Sequence, residues 1–211
     1  MPGPSAEGYL FPATYTFSTN SAPDKVIRHF VNTFRSMTRP LFEANTSSST
    51  RERLRRLGLG PHEILILASI VEKEAAEQKE QPLIAGVFIN RLESLAFLPR
   101  RRLQADPTLA YGCKVHPHLP SCKGFDGKHI TRAMLDDGEN PYNTYKREGL
   151  PPTPICNPGR SALRAVLEHQ KHDYFYFVAS GERKHRFSKS LSEHKEGVAE
   201  LRKREQQHPT P

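Results

Sequence analysis

The feature that most constrains this chain is an apolar run that does not alternate. Ile64, Leu65, Ile66, Leu67, Ala68, Ile70 and Val71 are apolar almost all the way round a 3.6-residue period, which predicts a helix buried on every side and therefore central to whatever forms around it. The run then turns abruptly into Glu72-Lys73-Glu74. At about 100° per residue from Ile64, Glu72 emerges at about 80°, between Ala68 and Leu65, and Glu74 at about 280°, between Leu67 and Ile70. Both glutamates therefore leave the buried helix on apolar faces. Helix geometry leaves open which of them is the unusual one. Glu72 is the first candidate for chemistry: a carboxyl pushed into an apolar wall loses hydration of its charged form and can serve as a general acid near neutral pH. The bland alternative is a surface glutamate one turn beyond the buried stretch, paired with Lys79 or Arg91.

Other elements follow from the same patterning. A helix is expected over 24–37 with Asp24 as N-cap, a loop over 45–50, a short basic helix over 51–57 closed by Gly58, and the central helix over 61–78. Pro82 suits the first turn of the next helix, which runs through Val87, Phe88, Ile89 and Leu92 and is expected to pack on the central one. Residues 112–129 read as loop, and the Pro-rich stretches 141–145 and 149–154 as extended or turn structure. A short helix is expected over 161–170. Tyr174 to Val178 reads as a strand returned as a hairpin through His185, Arg186 and Phe187, followed by a last helix over 192–204. Helices first and one late hairpin make the class α+β.

Three further groups carry possible chemistry. Asp106 is a second carboxylate, which invites a two-carboxylate reading of the glycosidase kind; followed by Pro107, it equally fits a helix start. Cys113, His116, His118, Cys122 and His129 form a Cys/His cluster. Their spacing is not a standard zinc pattern, and a Cys113–Cys122 disulfide in an oxidising compartment is the favoured reading over a metal site; Cys156 is left over. Asn143 between two tyrosines suits sugar recognition, since amides hydrogen-bond hydroxyl and N-acetyl groups and Tyr rings pack on pyranose faces. Phosphate-cradling glycine loops and Ser/His/Asp nucleophile motifs are absent.

The charge balance narrows the partners. With 31 Lys and Arg against 23 Asp and Glu, the 211 residues carry a formal charge of +8, which points to an anionic partner. The aromatic cluster Tyr174-Phe175-Tyr176-Phe177 is not interleaved with basic residues as on a base-stacking surface, which argues against nucleic acid. No stretch approaches the roughly 18 consecutive apolar residues of a membrane span.

Seven segments in order and register carry a resemblance: Glu7-Gly8-Tyr9-Leu10-Phe11-Pro12-Ala13-Thr14-Tyr15, Ile66-Leu67-Ala68-Ser69-Ile70-Val71-Glu72-Lys73-Glu74, Val87-Phe88-Ile89-Asn90-Arg91-Leu92, Leu103-Gln104-Ala105-Asp106-Pro107-Thr108, Pro141-Tyr142-Asn143-Thr144-Tyr145, Gly149-Leu150-Pro151-Pro152 and Asn157-Pro158-Gly159. Together they resemble the YceG-like endolytic murein transglycosylase family over nearly the whole chain. The resemblance implies a helical core with extended loops forming a glycan cleft. It also implies water-independent cleavage of the MurNAc–GlcNAc β-1,4 bond in peptidoglycan, leaving 1,6-anhydro-MurNAc ends, without a cofactor or metal. It assigns the acid/base role to Glu72 and makes Gln104, Asp106, Asn143 and Tyr145 candidate substrate contacts. Two alternatives stay beside it: a non-catalytic module binding anionic wall polymer, and a muramidase-type hydrolase using Glu72 and Asp106. On this reading residues 1–6 are a leader, 7–204 the catalytic domain and 205–211 a disordered tail. The family's membrane anchor and LysM-like region lie upstream of what is present. The expected setting is the periplasmic face of the inner membrane, beside cell-wall synthases, with Arg100, Arg101 and Arg102 meeting wall polymer.

Overall fold

The computed structural model describes residues 5–43, 48–181 and 183–207. Among them the chain is mixed α and β: helices α1 (Pro23–Glu43), α2 (Ser48–Arg56), α3 (Pro61–Glu74), α4 (Gln81–Glu93), α5 (Asp106–Val115), α6 (Arg132–Asp136) and α7 (Arg160–Leu167), then a hairpin of β1 (Tyr176–Gly181) and β2 (Lys184–Ser188), and α8 (Leu191–Gln207). The hairpin is antiparallel, with Tyr176 opposite Ser188 and Phe177 opposite Phe187.

The all-round apolar run is the centre of the molecule. Every residue of α3 from Ile64 to Val71 is buried, and α7 covers both α3 and α4 while α1 packs on α7. Pro61 sits in the first turn of α3 and Pro82 in that of α4, where a missing N–H costs no ladder bond. α3 stops at Glu74, with Ala75 already extended. The expected continuation to Gln78 therefore does not form as one helix; a short 3-10 turn at Gln78–Glu80 leads into α4 instead. Gly86 lets the chain pass close over α4: a Cβ there would lie 2.5 Å from both the Gln170 carbonyl oxygen and His172 Nε2.

A buried polar frame ties α2 to the far end of the chain. Arg53 donates to Glu93 (2.7 Å), to Asn90 (2.8 Å) and to His169 Nε2 (3.1 Å), and Asn90 donates to the carbonyls of His172 and Tyr174. His172 accepts from the Tyr174 N–H at Nδ1 and donates from Nε2 to the Leu83 carbonyl. Both imidazoles are thus used in their neutral form, and burial lowers both pKa values. The unfolded chain takes up protons on these histidines before the folded one does, so this contribution is present above about pH 6.5 and is lost as pH falls below it. Between pH 7 and pH 5 the unfolding midpoint of the wild type is expected to fall relative to that of the His169→Gln/His172→Gln double variant, in which this contribution is gone.

Other boundaries differ from expectation for local reasons. α1 runs on to Glu43, beyond Met37, and carries Pro40 inside it; Asp24 lies in its first turn and not at its cap. Residues 48–50 belong to α2 instead of a loop, while 44–47 lie outside the described residues. α5 makes residues 112–115 helical, correcting the loop expected there: Gly112 is accepted because the Asn140 amide packs where its Cβ would be. α8 reaches Gln207, so residues 205–207 are helical and not part of a disordered tail; 1–4 and 208–211 lie outside the described residues. α8 packs on both strands, and Glu80 straps the hairpin to the start of α4 by accepting from the His185 N–H (3.0 Å) and pairing with His185 Nδ1 (2.7 Å).

Candidate active site

Because α3 ends at Glu74, its two terminal glutamates point into different surroundings. Glu72 faces the N-terminus of α7, where Oε2 accepts from the Gly159 N–H at 3.3 Å, a natural position for a carboxylate. It borders a groove of about 550 Å³ lined by Phe11, Gln78, Arg160 and Arg164. Lys79, its proposed surface partner, pairs with Glu77 instead.

Glu74 faces the opposite way, into a cleft of about 980 Å³ that it shares with Asp106, Tyr111 and Ile155. Burial of its carboxyl pushes its pKa up to about 8, helped by the charge of Asp106 and opposed by that of Arg91. Desolvation is the leading cause, so at neutral pH this carboxyl holds its proton.

The groups around Glu74 are held by a stiff frame. Tyr145 donates its hydroxyl proton to Asp106 Oδ1 at 2.6 Å, and burial together with the Asp106 charge raises the Tyr145 pKa, so the phenol stays a donor. Thr144 links the two loops: its Oγ1 accepts from the Ala105 N–H (3.0 Å) and meets Thr108 Oγ1 (2.9 Å), and its carbonyl accepts from the Gln104 N–H (3.2 Å). Gln104 is held at φ 54°, a conformation that non-glycine residues adopt at some cost and that clusters at functional sites. The residue is half-buried at the edge of this loop.

Arg91, offered by the sequence only as a surface partner of Glu72, is instead a buried residue whose role patterning missed. It lies buried in α4, with its guanidinium 5.3–6.0 Å from the ring centroids of Phe88, Phe97, Tyr176 and Phe177. It donates to the Phe175 carbonyl at 2.7 Å and to the Leu103 carbonyl. One cation thus joins the hairpin, the loop that carries Gln104, and the field at Glu74. Burial pulls its pKa down to about 10, which leaves it charged at neutral pH. The available signal was a charged residue inside the apolar stretch Val87 to Leu92.

Asn143 is not placed to touch a sugar. It is fully buried, its Nδ2 donates to the carbonyls of Met134, Leu135 and Asp137, and its Oδ1 accepts from the Tyr145 N–H. Its amide is spent on holding the loop that presents Tyr145. Arg102 is likewise committed, donating to the Tyr145 carbonyl at 2.9 Å, whereas Arg100 and Arg101 are exposed.

The far wall of the cleft is the segment that carries the cysteines. Cys113 and Cys122 are disulfide-bonded, with Cα atoms 5.1 Å apart, and pack with Leu109 and Met134 in a small second core. The disulfide uses both thiols of the expected Cys/His cluster, and among the described residues no group of three or more His, Cys, Asp or Glu is arranged to hold a metal ion. Cys156 is inert: burial pushes its thiol up to about 12. In chain-entropy terms so short a disulfide loop is worth about 3 kcal/mol. Reduction is expected to lower the unfolding midpoint and to raise amide exchange over 113–130 while exchange within α3 and α4 stays slow.

A carboxyl that keeps its proton at neutral pH, set beside an anchored second carboxylate on an open cleft, is the equipment of an acid/base site for an extended polar substrate. The chain belongs to the YceG-like family, whose model matches residues 3–200. It is 36% identical over 190 residues to the endolytic murein transglycosylase of Bacillus subtilis (strain 168), covering 89% of this chain and 46% of that protein. It is 32% identical over 199 residues to the endolytic murein transglycosylase of Streptococcus pneumoniae (strain D39), covering 92% and 32%. The crystal structure of a yceG-like protein from Listeria monocytogenes superimposes with a TM-score of 0.69 at 37% identity, covering 90% of this chain and 55% of that one. The chain thus spans about half or less of the length of these relatives, and it shares with the Listeria protein its mixed α and β architecture with a late hairpin.

Proposed function

We propose that this chain is the catalytic part of an endolytic peptidoglycan lytic transglycosylase, with Glu74 and not Glu72 as its acid and base. The observation that carries the proposal is the placement of the Glu74 carboxyl, its pKa raised by burial, in the large cleft beside the Asp106–Tyr145 pair. The names of the curated relatives support the choice of substrate.

In this mechanism Glu74 gives its proton to the glycosidic oxygen as the bond between C1 of MurNAc and O4 of the following GlcNAc breaks, so that the GlcNAc leaves with a 4-hydroxyl. Positive charge develops at C1, and the Asp106 carboxylate, fixed by the Tyr145 hydroxyl, supplies a nearby negative field. The Glu74 carboxylate then takes the proton from the C6 hydroxyl as O6 bonds to C1. One proton leaves the enzyme and one returns, no water is consumed, and the product end is 1,6-anhydro-MurNAc. Asp106 and Tyr145 act in orientation and charge, with Gln104 at the edge of the same loop as a candidate substrate contact.

Digestion of purified peptidoglycan, with the ends identified by mass spectrometry, tests this. Anhydro ends are expected. Reducing MurNAc ends would turn the enzyme into a hydrolase that uses Asp106 to activate water. Asp106→Asn is expected to lower turnover by about 10²-fold, within the range for loss of a positioned charged group. The disulfide supports action outside the cytoplasm. The family reading extends this to the envelope beside glycan-polymerising synthases, which cross-linking in cells would detect.

A further inference from the structure

We propose that the disulfide-bonded wall of the cleft is a specificity element in which Lys114, Lys123 and Lys128 receive the carboxylates of the peptide stems on muramyl residues. The inference rests on the peptidoglycan reading above and goes beyond it, from the glycan to its branch.

Three observations converge. First, the three lysines and Lys73 line the same cleft as Glu74 and Asp106, and all four side chains are exposed. The ion pairs formed elsewhere by lysines, such as Lys79 with Glu77 and Lys146 with Asp136, have no counterpart here: no carboxylate lies within 4.0 Å of these four amines among the described residues. Second, the acidic residue on that wall is already spent. Asp126 accepts from the Lys128 and His129 backbone amides at 2.8 and 2.9 Å and pairs with His129 Nδ1, which holds its carboxyl well below the usual range. With Glu74 protonated, the cleft keeps a surplus of positive charge. Third, the wall is built to hold its place, because Cys113 and Cys122 anchor it in the core around Met134.

On a glycan stripped of its stems the hydroxyl and N-acetyl groups are uncharged, and the one anion left on each muramyl residue is the lactyl carboxylate, held close to the sugar ring and short of lysines on the far wall. The lactyl arm of MurNAc carries a peptide with free carboxylates, and it branches from the sugar whose C1 must sit at Glu74. A cleft of about 980 Å³ is at the upper end of the range for small-ligand sites, with room beside the sugar chain for such a branch. Lysine amines on flexible stems suit carboxylates that vary in position along a peptide.

The test uses glycan strands with intact stems and the same strands stripped of stems by an amidase. For the full chain, kcat/KM for anhydro-end formation is expected to be at least about tenfold higher on the intact strands, the equivalent of one well-made charge contact, with the ratio falling towards one at raised salt. In the Lys114→Ala/Lys123→Ala/Lys128→Ala variant the ratio is expected to collapse to near one, and in the corresponding triple Lys→Arg variant to persist in large part. A wild-type ratio near one, or a ratio unmoved in the triple alanine variant, would overturn the inference while leaving the transglycosylase reading standing. Co-sedimentation of protein with each strand type separates the two claims. If neither strand yields anhydro ends, stem-dependent binding that needs the lysines supports the lysine site without the proposed chemistry, and stem-independent binding overturns it.

Discussion

Glu74→Gln is expected to abolish anhydro-end formation and, at the same time, to make the protein more stable. A positioned acid/base carboxyl is worth roughly 10²–10⁴-fold in rate, and in the proposed mechanism one group does both proton transfers, so the loss should lie at the upper end. Glu72→Gln, on the other face of the helix, is expected to keep most of the activity. The stability effect follows from linkage. The folded-state pKa of Glu74 is raised to about 8, whereas a glutamate in the unfolded chain ionises near 4.3. Below about pH 4 both states are protonated and the shift has no effect. Between the two values the unfolded chain loses the proton first, so stability falls as pH rises through that window. An amide has no such term. At pH 7 the variant should therefore gain on the order of 3–4 kcal/mol, and the gain should vanish near pH 4. Thermal unfolding of both proteins at pH 4 and pH 7 reads this difference directly. The histidines around Arg53 shift stability in the opposite direction with pH, but they are common to both proteins and cancel. A variant that loses activity and stability together would mark Glu74 as structural.

Arg91→Met is expected to be the most damaging single change to the fold. Its removal leaves the Leu103 and Phe175 carbonyls without their donor and empties a box of four aromatic rings. Hydrogen bonds from a charged donor contribute about 1.5–3 kcal/mol each, and a buried acceptor left bare adds a penalty; the expected loss is about 3 kcal/mol or more, measured by denaturant unfolding. Arg91→Lys is not expected to rescue it, because an ammonium lacks the fork that reaches two carbonyls on different segments. Where an Arg91 variant still folds, the cation that opposes the rise of the Glu74 pKa is gone. The alkaline limb of its activity profile should then move to higher pH, a shift that loss of packing alone would not produce.

The two substitutions show what patterning along the chain can and cannot carry. The central helix, the helix starting near Pro82 and the late hairpin were legible because their apolar periods are local properties. The choice between Glu72 and Glu74 was not. It depends on where α3 stops and on what α5 and the 141–145 loop bring against each face, and both are long-range facts. Asn143 shows the converse: an amide between two tyrosines looks the same on paper whether it faces a sugar or three backbone carbonyls. α5 was half missed because Gly112 and the cysteines read as loop, although Gly112 is there to admit the Asn140 amide. The pairing of Cys113 with Cys122 was legible from spacing, but its place as a wall of the cleft was not.

The dispersal of the site along the chain has a consequence for when the protein becomes reactive during folding. Glu74, Asp106, Tyr145 and the hairpin carbonyl held by Arg91 come from separate stretches, so the site needs contacts whose loop-closure cost makes them late to form. A chain that has only coiled its helices would carry Glu74 in water, as an ordinary carboxylate with no proton to give at neutral pH. On the proposed mechanism, the capacity to cut is then a property of the last packing step. A half-folded chain, however abundant, would leave the proposed substrate uncut.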